Sequence, residues 1–154
     1  MGHRVIQLSA SDLDDLVELE SQCFAYHWTR EQFLMGLQKG VFKILGIRDA
    51  SRLVGYLAFS LIEDEMEILN LAVLPDFRKL GLATALLRRG FEVCKKMGIA
   101  QSFLDVKISN TPAIELYKKF GYVQIGVRKK YYPDTKEDAL LFRYDFALGK
   151  NSAS

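Results

Sequence analysis

One stretch constrains the fold more than any other: Leu71-Ala72-Val73-Leu74-Pro75-Asp76-Phe77-Arg78-Lys79-Leu80-Gly81-Leu82-Ala83-Thr84-Ala85-Leu86-Leu87. Its first part ends an apolar, strand-like run from Met66 to Leu74, stopped at Pro75. Its second part opens a helix. From Leu82 to Met97 the residues Ala83, Leu86, Leu87, Gly90, Cys94 and Met97 recur at intervals of three and four, and Gly98 stands where a C-terminal glycine belongs. A strand feeding a long amphipathic helix predicts an α/β chain in which helices cover a sheet. The junction reads R-x-x-G-x-A. Small residues at Gly81 and Ala83 let a ligand approach the backbone, and the unpaired N–H groups of the first helical turn face the same point. Such a turn holds phosphate through amide donors and the positive end of the helix dipole, with Arg78 and Lys79 adding charge. Neither G-x-x-x-x-G-K-[ST] nor G-x-G-x-x-G occurs, so the phosphates of a different cofactor are implied. A helix-start glycine with no ligand is the plainer alternative for this hexapeptide taken alone.

The other segments complete one domain. Val5 to Leu8 reads as a short strand, after which Ser11 is the expected cap of a helix with apolar face Leu13, Leu16, Val17, Cys23 and Phe24. Ala25 to Trp28 breaks that pattern. Thr29 with Gln32 then makes a capping box for a second helix, through Phe33 and Leu37 to about Gly40. Phe42 to Arg48, Leu53 to Ile62 and Met66 to Leu74 read as an antiparallel meander, with Glu63-Asp64-Glu65 turning between the last two. Beyond the long helix, Ser102 to Ile108 is strand-like. Asn110 or Thr111 caps a helix that Pro112 can begin, where Ile114, Tyr117 and Phe120 repeat at three before Gly121. Tyr122 to Arg128 and Ala139 to Phe146 close the chain as strands. The expectation is an α/β (α+β) fold in one domain over residues 4–148, with a loose tail over 149–154. Its sheet is mixed, largely antiparallel, of about seven strands and flanked by four helices.

Charge and cysteine usage narrow the function classes. In 154 residues, 21 Lys and Arg face 19 Asp and Glu, and a net charge of +2 is too small to argue for nucleic acid or a membrane surface. No apolar run approaches the roughly 18 residues of a membrane span, and Met1-Gly2-His3-Arg4 lacks a secretory stretch, so a cytoplasmic protein is expected. Cys23 and Cys94 form no C-x-x-C and fall on apolar helix faces; buried free thiols are expected, with a disulfide or a nucleophile as alternatives. His3 and His27 have no partner at metal spacing, and no metal is expected.

In order and spacing, Leu71-Ala72-Val73, the R-x-x-G-x-A loop and the later run Asp105-Val106-Lys107-Ile108-Ser109-Asn110-x-x-Ala113-Ile114-x-Leu116-Tyr117-x-x-x-Gly121-Tyr122 resemble the GNAT superfamily of acetyl-CoA-dependent N-acetyltransferases. The resemblance runs from about Val5 to Phe146. Trp28-Thr29, Asn70-Leu71-Ala72-Val73, the S-N-x-x-A-I-x-L-Y run, and Tyr131-Tyr132-Pro133 followed by Glu137-Asp138-Ala139 are most similar to the protein N-terminal acetyltransferases of RimI type, which act on a ribosomal protein. The resemblance implies acetyl-CoA as cosubstrate, a protein N-terminus as acceptor, a monomer or weak dimer, and direct transfer without a covalent enzyme intermediate. It implies that the backbone of Leu71, Ala72 and Val73 pairs with the pantetheine arm like an added strand. Arg78 and the amides of Lys79, Leu80, Gly81, Leu82, Ala83 and Thr84 would hold the pyrophosphate, and Asn110 would touch the cofactor. Tyr117 matches the family tyrosine that protonates the departing thiolate, while Tyr26, Trp28, Tyr131 and Tyr132 would wall a peptide groove. Two departures are Ala83, where the family usually has glycine, and His27, where a proline commonly precedes the Trp.

The acceptor must lose a proton before it attacks the thioester. At physiological pH roughly a third of α-amino groups are neutral, against about 0.1% of lysine side chains, so an N-terminus needs only modest help from a base. Glu67 shares strand parity with Leu69 and Leu71, and Asp105 with Phe103 and Lys107, so both carboxylates are candidates to line a cleft between their strands. The resemblance implies a glutamate base at the position of Asp105, and in more distant members at that of Glu67. Asp105 is shorter by one methylene, about 1.5 Å of chain, which predicts proton transfer through a water. Acetylation of a small amine or a lysine side chain, and acetyl-CoA binding without turnover, are the alternative functions.

Overall fold

Short-range signals decide where the elements start and stop. The computed structural model describes residues 3–24 and 27–147, so Tyr26 and the expected tail over 149–154 lie outside the described residues. Strand β1 (Val5–Gln7) leads into helix α1 (Leu13–Cys23) through a single 3-10 turn. The cap is not Ser11. The turn begins at Ser9, whose N–H donates to the Asp12 carboxylate at 2.9 Å, and Ser11 lies within it. Phe24 is likewise off the helix, with extended backbone at its C-cap. Helix α2 (Arg30–Lys39) starts on the expected capping box: Thr29 N–H donates to Gln32 at 2.8 Å and Gln32 N–H to Thr29 Oγ1 at 3.2 Å.

The meander follows as β2 (Lys43–Asp49), β3 (Arg52–Ile62) and β4 (Glu65–Val73). A 3-10 turn at Pro75–Phe77 leads to α3 (Leu82–Lys96), then β5 (Gln101–Lys107), α4 (Thr111–Phe120), β6 (Val123–Arg128) and β7 (Ala139–Asp145). Of the two candidate caps for α4, Asn110 serves: its side chain accepts from Ala113 N–H at 3.3 Å. The seven strands form one sheet in the order β1-β2-β3-β4-β5-β7-β6. Every neighbouring pair is antiparallel except β4 and β5. This is the mixed, largely antiparallel α/β sheet the sequence leads one to expect.

The helices sit on both faces. A Cβ added to Gly90 of α3 would lie 3.0 Å from Leu57, which places α3 on the face shared by Leu57, Met66 and Leu71. Helices α1 and α2 cover the opposite face, where Tyr56 meets Glu20 of α1 and the ring of Phe33 of α2 at 5.9 Å. The core is continuous through both layers, with Leu16, Phe33, Tyr56, Leu57, Phe59, Leu86, Leu87 and Phe142 fully buried. Cys94 is a buried free thiol; Cys23, also free, is only half-buried.

The expected parity of β4 fails at one residue. Asn70 pairs with Ala58 and Ile68 with Phe59, so Leu69 has no partner and forms a bulge. The extra residue turns the alternation over. Glu67 stands opposite Ser60, on the face that carries Asn70 and Ala72 rather than that of Leu71.

Gly36 of α2 gives a test of packing near the site. A Cβ there would fall 1.9 Å from the ring of Phe42, which in turn packs on Trp28 at 5.3 Å. Gly36→Ala is expected to cost about 2–3 kcal/mol and lower the melting temperature by about 4–12 °C. A melting curve superposable on the parent's would contradict this packing.

Candidate active site

The sheet opens at its single parallel junction. Pairing between β4 and β5 runs from Glu65 with Gln101 to Ile68 with Leu104 and stops there, although β4 continues to Val73 and β5 to Lys107. The freed edge of β4 faces the gap. Leu74 N–H donates to Val54 at 2.9 Å on the β3 side. By the alternation of an antiparallel ladder, the backbone groups of Leu71 and Val73 therefore point away from β3. Val73 C=O accepts from Arg78 Nε at 2.9 Å, with the Cys23 thiol 3.6 Å away, and Leu71 N–H donates to the Asn70 side-chain oxygen at 3.1 Å. Burial pushes the Cys23 thiol up, partly offset by Arg78. Arg78 thus braces the end of β4 through Nε, a contact its sequence position does not reveal.

The loop beyond turns on left-handed backbone at Lys79 (φ 64°) and Gly81 (φ 82°). The glycine adopts this without Cβ strain. The first intrahelical bond of α3 is Ala85 N–H to Gly81 at 3.0 Å, so the N–H groups of Leu82, Ala83 and Thr84 have no acceptor within the helix. Three amides at the positive end of a 15-residue helix fit a diphosphate. Ala83 lies inside α3, where a Cβ costs nothing.

Asp105 is the first β5 residue past the end of pairing, on the same face as Phe103 and its neighbour Glu67. Ser60, Ile62, Glu67, Phe103, Asp105 and Arg128 line an open cavity of about 360 Å³ over the paired stretch of β4 and β5, and of these residues only Asp105 stands past the last β4–β5 pair. Burial, and then the adjacent Asp105, raise the Glu67 carboxyl above its ordinary value, with Arg128 partly offsetting this. Arg128 Nε lies 3.4 Å from Asp105, and its guanidinium sits over Tyr131 at 5.6 Å.

Tyr131 and Tyr132 meet edge to face at 5.2 Å on the loop between β6 and β7. Burial first, and then Asp105, push the Tyr132 phenol up to about 12. That loop is pinned by Lys107 to Asp134 at 2.8 Å and by Asp138, which accepts from Lys130 N–H at 2.9 Å and Lys129 at 3.3 Å. The basic run Arg128-Lys129-Lys130 is therefore tied into the loop and strand end. Tyr117 of α4 is buried and packs edge to face on Tyr122 at 5.6 Å; burial raises its phenol, with Tyr132 adding to the effect.

Trp28 lies mainly in packing, with its ring 5.2 Å from Phe33 and 5.3 Å from Phe42. Its backbone N–H donates at 2.9 Å to Glu20, a carboxylate only 1% exposed that the sequence reading passed over. The signal was present: Glu20 falls seven residues after Leu13 and four after Leu16, on the apolar stripe of α1. Among the described residues no three His, Cys, Asp or Glu side chains gather as a metal site requires.

An opened parallel junction, a bare helix start and two flanking acids suit acyl transfer from a diphosphate-bearing carrier, and residues 13–122 match the acetyltransferase (GNAT) family. The chain belongs to the GNAT family. As a GNAT acetyltransferase it takes its acetyl group from acetyl-CoA, in keeping with the sequence resemblance. It is 36% identical over 138 residues to the putative [ribosomal protein bS18]-alanine N-acetyltransferase of Bacillus subtilis, covering 89% of this chain and 91% of that protein. It is 29% identical over 146 residues to the [ribosomal protein bS18]-alanine N-acetyltransferase of Escherichia coli, covering 94% and 98%. The crystal structure of the Escherichia coli ribosomal-protein-S18-alanine N-acetyltransferase superposes with a TM-score of 0.87 at 27% identity, over 94% of each chain. No helix among the described residues of this GNAT protein is long and apolar enough to cross a membrane.

Proposed function

We propose that this protein acetylates the N-terminal α-amine of a protein, with a ribosomal protein beginning in alanine as its natural substrate, by direct transfer in the cytoplasm. The observation that carries the reading is the place where β4 and β5 part: outward-facing backbone of Leu71 and Val73 on the β4 edge, Asp105 on β5 just past the last pair, and Glu67 beside Asp105 at the end of the paired stretch. Both named bS18-alanine acetyltransferases support the choice of substrate.

In this reading the strand edge at Leu71 to Val73 pairs with the pantetheine arm, and the amides from Lys79 to Thr84 hold the pyrophosphate. Asn110, the cap of α4, stands near the same arm. Acetyl-CoA supplies an activated thioester; the chain supplies position and proton transfer. Asp105 lies nearest the gap and accepts the proton of the attacking amine through a water, with Glu67 next along the same face. The amine nitrogen bonds to the carbonyl carbon and the carbon–sulfur bond breaks. Tyr117 gives its proton to the departing sulfur. Val73 N–H leaves the strand on the same side as its carbonyl and polarises the thioester oxygen. Tyr131 and Tyr132 wall one side of the peptide groove, with Trp28 opposite.

Acetyl transfer to short peptides differing in their first residue, with a blocked-terminus lysine peptide and polyamines beside them, tests the reading. Product confined to free N-termini, led by alanine or serine, is expected. Product only on the lysine peptide or the polyamines would overturn the substrate class, and acetyl-CoA binding without product would overturn turnover itself.

A further inference from the structure

Glu20 is buried, charged and unused by the chemistry above. Every hydrogen bond it makes comes from a donor: the Trp28 backbone N–H at 2.9 Å to one oxygen, the Tyr56 hydroxyl at 2.5 Å to the other, and Asn70 Nδ2 at 3.1 and 3.3 Å to both. Asn70 Nδ2 also donates to Tyr56 at 2.8 Å. A site composed of donors selects a carboxylate, since no neutral side chain of that length accepts on both arms.

The three donors come from different segments of the chain. Trp28 leads the chain into α2, Tyr56 stands in β3, and Asn70 stands in β4. The chain of bonds does not end at Asn70. While its Nδ2 serves Glu20, its Oδ1 accepts from Leu71 N–H at 3.1 Å, one of the backbone groups turned toward the gap. A continuous path thus runs from Trp28 N–H through Glu20 and Asn70 to Leu71 N–H.

We propose that Glu20 is a positioning residue that couples the loop carrying Trp28 to the cofactor-facing edge of β4, so that occupancy of one side is felt on the other. This rests on the functional reading above, in which the pantetheine arm pairs along Leu71 to Val73. An acceptor arriving at Leu71 N–H competes with Asn70 Oδ1. The released amide re-orients, and its Nδ2 changes its hold on Glu20 and so on Trp28. The coupling requires only two arrangements of Asn70, and both ligands bias the same equilibrium.

Trp28 is the sole tryptophan, so its emission reports the loop directly. The experiment compares wild type, Glu20→Gln and Asn70→Ala by Trp28 fluorescence during acetyl-CoA titration, by calorimetry with acetyl-CoA, and by kinetics on an alanine-first peptide. Glu20→Gln keeps the size but turns one acceptor into a donor; Asn70→Ala leaves Glu20 bonded to Trp28 and Tyr56 and removes its link to β4 together with the Asn70–Tyr56 bond. In wild type, acetyl-CoA is expected to change Trp28 emission. Both variants are expected to bind acetyl-CoA within about threefold of wild type, lose most of that response, and raise the peptide KM about five- to tenfold with kcat within about twofold. Wild-type emission indifferent to acetyl-CoA would overturn the proposal. So would variants that melt at lower temperature yet keep both the response and the KM, which would leave Glu20 a packing residue. If wild type acetylates no peptide, the functional reading fails alone and the Trp28 response still decides the coupling.

Discussion

Tyr117→Phe is expected to lower kcat for acetyl transfer by about 100-fold or more while leaving acetyl-CoA affinity within about twofold. The substitution removes one oxygen from a ring held by packing. Tyr117 is 5% exposed and lies edge to face on Tyr122, contacts that phenylalanine keeps. Burial raises the phenol, so it is protonated throughout the neutral range and remains able to give its proton as the carbon–sulfur bond breaks. Without it, the thiolate must leave unprotonated or take a proton from water, and the cost falls on the transition state rather than on binding. Steady-state kinetics alongside calorimetry separates the two. A kcat within about threefold of the parent would remove Tyr117 as the acid and leave it a core aromatic.

Asp105→Asn is expected to lower kcat/KM by about 100-fold at pH 7 and to change the shape of its pH dependence. A base works deprotonated, so activity is lost as pH falls through its pKa. In the parent Glu67 shapes the acid limb. Its carboxyl is raised above its ordinary value by burial and then by the neighbouring Asp105. Removing the charge at position 105 removes one of the two causes, so the Glu67 pKa falls while its burial continues to hold it up. The residual activity of Asp105→Asn should then climb with pH toward the amine's own deprotonation at about pH 8. Glu67→Gln should cost less, about tenfold, and move the acid limb to lower pH. Profiles of kcat/KM from about pH 5 to 9 check both variants. If Asp105→Asn leaves height and shape unchanged while Glu67→Gln abolishes the acid limb, the base is Glu67.

The placement of these two acids shows where a reading of residue order runs out. Alternation along β4 put Glu67 on the face of Leu69 and Leu71. The bulge at Leu69 reverses that, and its cause lies in β3, where Ala58 and Phe59 take Asn70 and Ile68 as partners. A bulge belongs to a pair of strands and has no marker in either one alone. Glu20 is a similar case. Its place on an apolar stripe was visible, but its three donors come from residues 8, 36 and 50 positions away.

What the sequence by itself determined is local and periodic: the start of α2 at its capping box, the strand-to-helix turn at Gly81, the length of α3, the glycine stop of α4, and the family motif those pieces spell. These depend on interactions within one or two turns of chain, which the order of residues specifies directly. Tertiary structure alone decided where β4 and β5 stop pairing, which face each carboxylate occupies, that Arg78 braces Val73, and that Glu20 joins Trp28 to Asn70. Those outcomes depend on register between segments tens of residues apart. They are set when the whole sheet packs between α1 and α2 on one face and α3 on the other, because only then do the remote partners exist.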